Sequence, residues 1–343
     1  MEEKRDLRSM DLEEMTALCQ ELGEPKFRAG QLFDWVHQKG VASFQGMTNL
    51  SKALRQKLEE TCTLTTLTVV RRLESKLDET VKYLYRLPDG ESVETVLMKY
   101  EYGYSLCVSC QVGCKMGCAF CASTKAGFVR NLTPGEMLEQ VYRTQADRGV
   151  KMGHLVLMGI GEPLDNYDTV LKFLSLLHHP KGQNLSMRNI SLSTCGLVPR
   201  IKQLAQEKLG LTLSVSLHAA DNETRSRIMP VNLRYPIEEL LDACKEYTDT
   251  TSRRISFEYA LIAGENDSPD QAKKLAKLLK GQLCHVNLIP VNYVKEAGFQ
   301  PALPGRVRQF QSLLMEHGIN ATVRRTLGSD IAAACGQLRR ENS

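Results

Sequence analysis

Segments typical of strands and of helices alternate through residues 105–325, and this alternation restricts the possible folds more than any other feature of the chain. Each unit pairs a short run of aliphatic and β-branched residues with a longer amphipathic stretch. Such alternation predicts a parallel sheet whose strands are joined by helical crossovers. The region holds about six units of about 35 residues, fewer than the eight units of a closed barrel. We therefore predict an α/β fold with a partial (β/α)6 barrel.

The predicted elements follow in chain order. Strands are expected at residues 154–158, 189–194, 211–217, 254–262, 285–291 and 320–324. Helices are expected at residues 133–147, 167–178, 199–207, 236–247, 269–280 and 305–317. Thr133 and Glu136 form a capping-box pattern at the start of the first of these helices.

An N-terminal helical domain is predicted for residues 1–62. Asp11 and Ser51 can cap helices there, and apolar residues recur at helical spacing behind them. Basic side chains lie on the polar helix faces, namely Lys26, Arg28, Lys39, Lys52, Arg55 and Lys57. Charged helix faces are most often only solvated, and the alternative is a surface for an anionic partner.

Residues 63–104 are predicted to form a small linking sheet. The segments 66–73, 81–87 and 93–100 are rich in Val, Thr, Leu and Tyr, and Pro88-Asp89-Gly90 is typical of a turn. This pattern favours antiparallel strands. The barrel core is expected to span residues 105–325, and residues 326–343 form a short C-terminal tail.

Composition excludes several classes of protein. Apolar residues make up 42% of the chain and charged residues 24%, which is typical of a globular protein rather than a disordered one. No apolar run approaches about 18 residues, so no membrane partner is expected. The first residues lack the apolar stretch of a secretory signal, and we expect a cytoplasmic protein. The net charge of +4 is too small to indicate a nucleic-acid partner by itself.

Five of the eleven cysteines are clustered within 15 residues, and this clustering indicates a metal or redox site. Cys114, Cys118 and Cys121 have the spacing C-x3-C-x2-C. Thiolates hold iron–sulfur clusters, and three local cysteines leave one iron of a 4Fe–4S cluster without a protein ligand. An iron of that kind can bind a substrate or a cofactor, as the open position of a catalytic zinc does.

Zinc is the alternative interpretation of the same cysteines. Cys107 and Cys110, together with Cys118 and Cys121, could supply four thiolates. Only seven residues separate these two pairs, whereas about 12–20 residues separate the pairs in common zinc patterns. The spacing therefore favours the cluster.

The cysteine motif, with Phe120 before its last cysteine, resembles the radical S-adenosylmethionine (SAM) superfamily. Further motifs resemble the RlmN/Cfr family of RNA adenosine methyltransferases. These motifs are MGIGEP at 158–163, LST at 192–194, SLH at 216–218, NLIPVN at 287–292 and DIAAACGQL at 330–338. The resemblance covers essentially the whole chain in the same order, and the combination of the cysteine triad with the C-terminal motif is highly specific.

The resemblance implies methylation of C2 of adenosine, an electron-poor carbon that calls for radical chemistry with a 4Fe–4S cluster and two molecules of SAM per turnover. It implies that Cys335 accepts a methyl group from one SAM and later carries the carbon radical that adds to C2. Cys107 then resolves the protein–RNA adduct through a transient disulfide, and Glu94 takes the C2 proton. Without the resemblance, Cys335 would be interpreted as a small packing residue, and Glu94 as a solvated one.

The resemblance also places SAM at the ends of successive strands. The SAM-binding residues that it implies are Gly161, Glu162, Ser193, Ser216, Leu217, His218 and Asn292. Each of these residues alone is more often structural, but together they outline one groove. The role of His218 has two interpretations. Either its backbone binds SAM while its ring only packs, or the ring itself takes part in binding.

Two features concern the subtype. Pro163 follows Glu162, as in RlmN-like members, whereas the C8-methylating Cfr branch has Ala there. Members of the RlmN type modify adenosine 2503 of 23S rRNA and adenosine 37 of some tRNAs, and an electron donor such as flavodoxin or ferredoxin is expected.

Cys110 and Cys195 stand where many relatives have Ser, and we expect Cys110 to be neither a ligand nor catalytic. The alternatives are a C8 methyltransferase and a non-catalytic zinc or iron–sulfur RNA-binding protein.

Overall fold

A computed structural model describes residues 4–292, 294 and 297–339 of the chain. The described strands are β1 (Arg5–Asp6), β2 (Cys62–Thr63), β3 (Thr68–Glu74), β4 (Val81–Arg86), β5 (Ser92–Tyr100), β6 (Gly103–Cys107), β7 (Gln111–Gly113), β8 (Phe128–Asn131), β9 (His154–Leu157), β10 (Ile190–Thr194), β11 (Thr212–Ser216), β12 (Ile255–Leu261), β13 (Cys284–Pro290) and β14 (Ala321–Val323). The described helices are α1 (Leu12–Glu21), α2 (Phe27–Phe33), α3 (Lys52–Thr61), α4 (Pro134–Arg148), α5 (Tyr167–His178), α6 (Val198–Gln206), α7 (Asn222–Ile228), α8 (Ile237–Thr251), α9 (Pro269–Leu278) and α10 (Pro304–Glu316).

One ten-stranded sheet forms the centre of the molecule, in the order β14-β13-β12-β11-β10-β9-β6-β5-β4-β3. The strands β6 and β9 to β14 run parallel to one another, as the strand–helix alternation predicts. Their crossovers contain the helices α4 to α10. The predicted α/β fold with a partial barrel is confirmed, and the parallel strands bring their carboxyl ends to one edge.

The three antiparallel strands do not form a sheet of their own. β5 pairs with the first barrel strand, β6, with Val96 opposite Cys107, so β3, β4 and β5 extend the barrel sheet. The sequence pattern predicts the strands but not this pairing, because side-chain alternation does not specify which strand lies alongside which.

The capping box at α4 forms as predicted. The Thr133 side chain accepts a hydrogen bond from the Glu136 backbone N–H, and the Glu136 carboxylate accepts one from the Thr133 N–H. The short helix α7 was not predicted, because its sequence NETRSRI is mostly polar and spans only seven residues. None of the described helices has the length and apolar character that a membrane span requires.

The N-terminal helices dock on the barrel through a buried ion pair. Arg8 and Glu139, on α4, are both fully buried, and 2.7 Å separates their charged atoms. The Arg8 guanidinium also donates to the carbonyl oxygen of Val36 at 2.7 Å. His37 follows in a π-helical turn, Asp34–Gln38, and contacts the hydroxyl of Tyr142. This contact region joins the N-terminal helices to α4, so they share one core with the barrel.

Candidate active site

A cavity lies at the carboxyl ends of the parallel strands, the edge at which ligands bind in sheets of this kind. Most of the predicted site residues line it. They are Cys114, Cys118, Cys121, Gly161, Glu162, Ser193, Ser216, His218, Asn292 and Cys335. We call it the strand-end cavity. Leu217, Cys107 and Glu94 do not line it.

The cysteine loop begins at a tight crossing of two backbones. β7 and β8 form an antiparallel pair that brings Gly113 against Gly127. Gly113 has a φ of 74°, and a Cβ atom there would lie 1.7 Å from the carbonyl oxygen of Gly127. Only glycine fits this position, because any side chain would force the two backbones apart.

Of the three cysteines of this loop, Cys114 is buried and Cys118 and Cys121 are partly buried. Burial raises the pKa of the Cys114 thiol to about 12, and burial also raises the pKa values of Cys118 and Cys121. In the protein alone these thiols are therefore protonated at neutral pH, and a metal that binds them has to displace the protons.

The donor set fits a cluster better than a single ion. Within the described residues, no group of three or more Cys, His, Asp or Glu side chains is arranged to hold one metal ion. A tetrahedral zinc site needs its four ligands within about 2.3 Å of the ion. In a 4Fe–4S cluster each thiolate binds a different iron, so the sulfurs stand further apart. Three thiols on one rim of a cavity meet that requirement.

Glu162 is fixed by backbone donors beside this rim. Its carboxylate accepts hydrogen bonds from the N–H groups of Cys195 at 2.8 Å and Leu164 at 3.0 Å, and burial raises its pKa. Gly161 before it has a φ of 112°, and a Cβ atom would lie 2.7 Å from the Gln111 side chain. Glycine is therefore required at this position, because a side chain would collide with Gln111.

The two further cysteines lie on opposite sides of this loop. Cys195 lines the strand-end cavity and its thiol hydrogen-bonds to Glu162. Cys110 is buried beneath Gly161 and does not line the cavity.

The His218 ring packs and does not titrate near neutral pH. Its Nδ1 atom accepts a hydrogen bond from the Ala260 N–H at 2.9 Å, and its edge meets the Phe120 ring with centroids 5.0 Å apart. Burial lowers its pKa to about 3, so the ring is neutral. Leu217 is fully buried, and its N–H donates to the Glu258 carbonyl oxygen. Of these two residues, only His218 lines the strand-end cavity.

Arg225 supports the cavity from below, and sequence reasoning missed it. Its fully buried guanidinium donates to the carbonyl oxygens of Cys195 at 2.8 Å, Ser216 at 3.1 Å and Leu217 at 3.1 Å. These bonds tie together the ends of β10 and β11. No signal in the sequence pointed to it, because an arginine in a short polar helix is typical of a solvated surface.

A second, smaller cavity lies next to the first, beneath the C-terminal tail. Its lining includes Tyr100, Cys107, Asn292, Arg324 and Cys335, and we call it the tail cavity. Cys335 lines both cavities. Burial raises the pKa of the Cys107 thiol to about 12. The structure thus brings together the two cysteines to which the resemblance assigns catalytic roles.

Arg324 stands at the boundary of the two cavities and was also missed from sequence. Its Nη1 atom lies 3.4 Å from the Cys335 sulfur and 3.6 Å from the Met158 sulfur. The nearby negative charge of a Cys335 thiolate raises the pKa of this guanidinium, and Glu258 acts in the same direction. The site therefore holds a permanent positive charge beside the Cys335 sulfur.

Glu94 is not brought together with these cysteines. It is fully buried, lies 2.8 Å from the Lys82 ammonium and accepts a hydrogen bond from the Arg339 N–H at 2.8 Å. It lines neither cavity. The tail covers it in this conformation.

The tail is docked along its described length. Asp330 accepts hydrogen bonds from Ser75 and from the Lys76 N–H, and the Asn292 amide donates to the Cys335 carbonyl oxygen at 3.0 Å. The Ser123 hydroxyl donates to the Leu338 carbonyl oxygen at 2.7 Å. Residues 340–343 of the predicted tail lie outside the described residues.

Comparisons with known proteins extend this picture. Residues 5–64 match the family model described as the ribosomal RNA large subunit methyltransferase N-terminal domain, and residues 108–278 match the radical SAM superfamily. A relative from Lachnospira eligens, named a probable dual-specificity RNA methyltransferase RlmN, is 52% identical over 97% of this chain and 95% of its own. A protein of the same name from Desulforamulus reducens is 53% identical over 98% of this chain and 96% of its own.

A solved structure agrees with these relatives. The crystal structure of a radical SAM methyltransferase from Sphaerobacter thermophilus superposes with a TM-score of 0.94 at 45% sequence identity, covering 97% of this chain and 99% of that one.

The partial barrel, its cysteine loop and these matches define a radical SAM enzyme, which uses a 4Fe–4S cluster and SAM. More narrowly, the chain belongs to the RlmN family of radical SAM RNA methyltransferases. RNA is its substrate class.

Proposed function

We propose that this chain methylates C2 of adenosine in RNA, using a methyl group carried on Cys335 and a transient disulfide between Cys335 and Cys107. One observation carries the proposal. Cys107 and Cys335 line the tail cavity together, and Cys335 also lines the strand-end cavity. A sulfur that borders both cavities can meet SAM on one side and the RNA base on the other.

The inferred substrates are adenosine 2503 of 23S rRNA and adenosine 37 of tRNA. The names of the curated relatives, which describe dual-specificity RNA methyltransferases, support two RNA substrates. Pro163 after Glu162 favours C2 over C8, the alternative position. A protein such as flavodoxin or ferredoxin is the expected electron donor, and the cytoplasm is the expected location.

Cys114, Cys118 and Cys121 would hold the cluster on the rim of the strand-end cavity. SAM would contact the side chains of Glu162, Ser193, Ser216 and Asn292 and the backbone of Gly161 and His218, with Leu217 buried behind them. Bound together, the cluster and SAM supply a 5′-deoxyadenosyl radical after one-electron reduction. Glu162, with its oxygens already oriented by two backbone N–H groups, is placed to accept from the SAM amine.

Cys335 acts first, as a nucleophile. Its thiolate forms a bond to the methyl carbon while the bond between that carbon and the sulfonium sulfur of SAM breaks. Arg324, 3.4 Å from the Cys335 sulfur, stabilises the negative charge that the attacking sulfur carries. The methyl group on Cys335 gives up one hydrogen atom to the 5′-deoxyadenosyl radical, which becomes 5′-deoxyadenosine, and the resulting methylene carbon bonds to C2 of the adenosine.

Glu94 and Cys107 complete the reaction. The radical adduct gives up one electron, which the oxidised cluster would accept, and its C2 proton passes to Glu94. The Cys107 thiolate then attacks the Cys335 sulfur, a disulfide bond forms as the sulfur–carbon bond breaks, and the released carbon takes up a proton to become the methyl group. The Glu94 carboxylate accepts a hydrogen bond from the Arg339 N–H, so the tail has to shift before Glu94 can take up the C2 proton. The same tail carries Cys335, so one movement serves both residues.

The reaction product tests the proposal directly. RNA treated with the cluster-loaded protein, SAM and a reductant should contain 2-methyladenosine, identified by mass spectrometry of its nucleosides. The presence of 8-methyladenosine instead would establish the alternative chemistry. A protein that contains zinc and leaves the RNA unmodified would establish the non-catalytic alternative.

The two cysteines should fail in different ways when replaced. Cys107→Ala can still form the adduct but has no sulfur to break it, so RNA should stay covalently attached and migrate slowly on a denaturing gel. Cys335→Ala should form no adduct. Cys19→Ala, which removes a buried thiol on α1, serves as the control and should release methylated RNA normally. A cluster-loaded Cys107→Ala protein that cleaves SAM without trapping RNA would contradict the mechanism.

A further inference from the structure

A row of aromatic rings leads from the protein surface to the tail cavity. Tyr100 and Tyr102 stack with their centroids 4.9 Å apart and their planes within 7° of parallel. The His154 ring contacts Tyr102 at a centroid distance of 4.6 Å. Tyr102 is 62% exposed, whereas Tyr100 is half-buried and lines the tail cavity with Cys107 and Cys335.

This arrangement is fixed by the turn between β5 and β6. Tyr100 ends β5 and pairs with Gly103, the first residue of β6, whose φ is 116°. The turn therefore holds Tyr102 over Tyr100, and the His154 ring on β9 meets Tyr102 from the side. A single exposed aromatic ring is ordinary on a protein surface. Tyr102 differs, because it stacks on Tyr100, which lines the tail cavity, and a ligand at this cavity can therefore stack on Tyr102.

A positive charge lies at the same mouth of the cavity. Arg325 is exposed and lines the tail cavity. Across the part of the chain that the structure describes, its side chain has no hydrogen bond or ion pair. By contrast, Lys99 at the end of β5 is paired with Glu79. Arg325 is thus free to bind an anion next to the stacked rings.

Chemistry at C2 requires that the target adenosine leave its stack and enter the cavity. The neighbouring nucleotide then loses one stacking partner. Proteins that bind unpaired RNA supply an aromatic ring in its place, worth about 1–3 kcal/mol per base, together with cations for the phosphates.

We propose that Tyr102, supported by Tyr100, is a stacking platform for an unpaired nucleobase next to the target adenosine, and that Arg325 binds the adjoining phosphate. This inference rests on the proposed placement of the reaction at Cys107 and Cys335. It assigns a substrate-binding site at the β5–β6 turn.

Binding of an RNA hairpin whose loop carries the target adenosine tests the platform without turnover. Tyr102→Ala should weaken binding by about 5- to 150-fold, the range that the loss of one stacked base predicts. Tyr102→Phe should bind the RNA hairpin with the affinity of the unmodified protein, because the phenyl ring still stacks. A 2-aminopurine placed beside the target should be quenched on binding to the unmodified protein, and this quenching should be reduced in Tyr102→Ala.

Salt dependence separates the two parts of the site. Arg325→Gln should reduce the slope of log affinity against log salt by about one, whereas Tyr102→Ala should leave that slope unchanged. Met315→Ala, which removes an exposed apolar side chain on α10, is the control for general loss of surface apolar area. Binding by Tyr102→Ala within twofold of the unmodified protein, with unchanged quenching, would overturn the platform.

The outcome is separable from that of the proposed reaction. If the RNA binds as expected but no 2-methyladenosine forms, the platform stands and the C2 chemistry fails. If 2-methyladenosine forms at the normal rate in Tyr102→Ala at low RNA concentration, the chemistry stands and the platform fails.

Discussion

Arg324 places a guanidinium between two sulfur atoms, at the boundary of the strand-end and tail cavities. Four neighbouring groups raise the pKa of this guanidinium, and the largest contribution comes from the first of them. They are Cys335, Glu258, Tyr100 and Cys107. Both sulfurs of the proposed reaction have to carry negative charge in a site shielded from water. A fixed cation beside them stabilises that charge more than it would in water. We therefore infer that Arg324 assists methyl transfer to Cys335.

Replacement of Arg324 tests this role. Arg324→Gln should slow methylation of Cys335 about 10- to 150-fold, because a charged hydrogen bond is worth about 1.5–3 kcal/mol. Arg324→Lys should retain part of the rate. Mass spectrometry of the Cys335 peptide after reaction with methyl-deuterated SAM, without RNA, measures the step. Arg308→Gln, an exposed arginine on α10, is the control, and equal rates in Arg324→Gln and in the control would exclude the role.

At the scale of elements, the β7–β8 hairpin determines whether the cysteine loop can close. Gly113 and Gly127 have almost the same φ, 74° and 72°, so an alanine at either position carries the same backbone strain. They differ in their surroundings. A Cβ atom at 113 would meet the Gly127 carbonyl oxygen at 1.7 Å, whereas nothing lies within 4 Å of one at 127.

Alanine variants at Gly113 and Gly127 therefore distinguish the effect of backbone strain from that of the steric collision. Gly113→Ala should open the hairpin and lower the iron and sulfide content per chain after reconstitution, together with the visible absorbance of the cluster. Gly127→Ala should cost about 1 kcal/mol of stability and keep its cluster. Equal iron content in both variants would show that the crossing does not control the loop.

Elements with a strong periodic pattern could be predicted from sequence, and pairings over long distances could not. The helix at residues 167–178 was placed with its observed bounds, because its apolar face repeats at helical spacing. The joining of β5 to β6 was missed, because an alternating pattern does not name its partner. In the site, the cysteine spacing revealed the loop. Arg225 and the covering of Glu94 by Arg339 depend on contacts that only the folded chain creates.

For the whole molecule, the N-terminal helices and the barrel behave as one packed unit. Arg8 and Glu139 are buried together, and removal of one partner of such a pair typically costs about 3–5 kcal/mol. Deletion of residues 1–62 would therefore leave the Glu139 carboxylate buried without Arg8. The hypothesis that the N-terminal domain binds RNA is better tested by neutralising exposed lysines such as Lys26 and Lys52 in the intact chain.

Two buried histidines make the stability of the whole molecule depend on pH. The His37 Nε2–H donates to the Met10 carbonyl oxygen at 3.0 Å, and its Nδ1 atom accepts from the Tyr142 hydroxyl at 3.1 Å. His218 accepts from the Ala260 N–H. Burial lowers the pKa of each ring to about 3, against an ordinary value of about 6.5.

The sign of the effect follows from proton binding. Below about pH 6.5 the unfolded chain protonates both rings while the folded chain protonates neither, so the free energy of unfolding falls as the pH falls. The loss approaches about 1.4 kcal/mol per pH unit for each ring and ends near pH 3. Burial raises the pKa values of Glu162 and Glu258, and these two groups act in the opposite direction.

Single substitutions isolate the contribution of one ring. His218→Asn retains an acceptor for the Ala260 N–H but cannot titrate, so between about pH 7 and about pH 5.5 it should lose about 1.3 kcal/mol less stability than the unmodified protein. Urea unfolding followed by circular dichroism at about pH 7 and about pH 5.5 measures the difference. His317→Asn, which replaces an exposed histidine after α10, should leave the pH dependence unchanged. If His218→Asn and His317→Asn lost the same stability between the two pH values, the His218 ring would already be protonated in the folded protein, and its contact with Ala260 would need a different explanation.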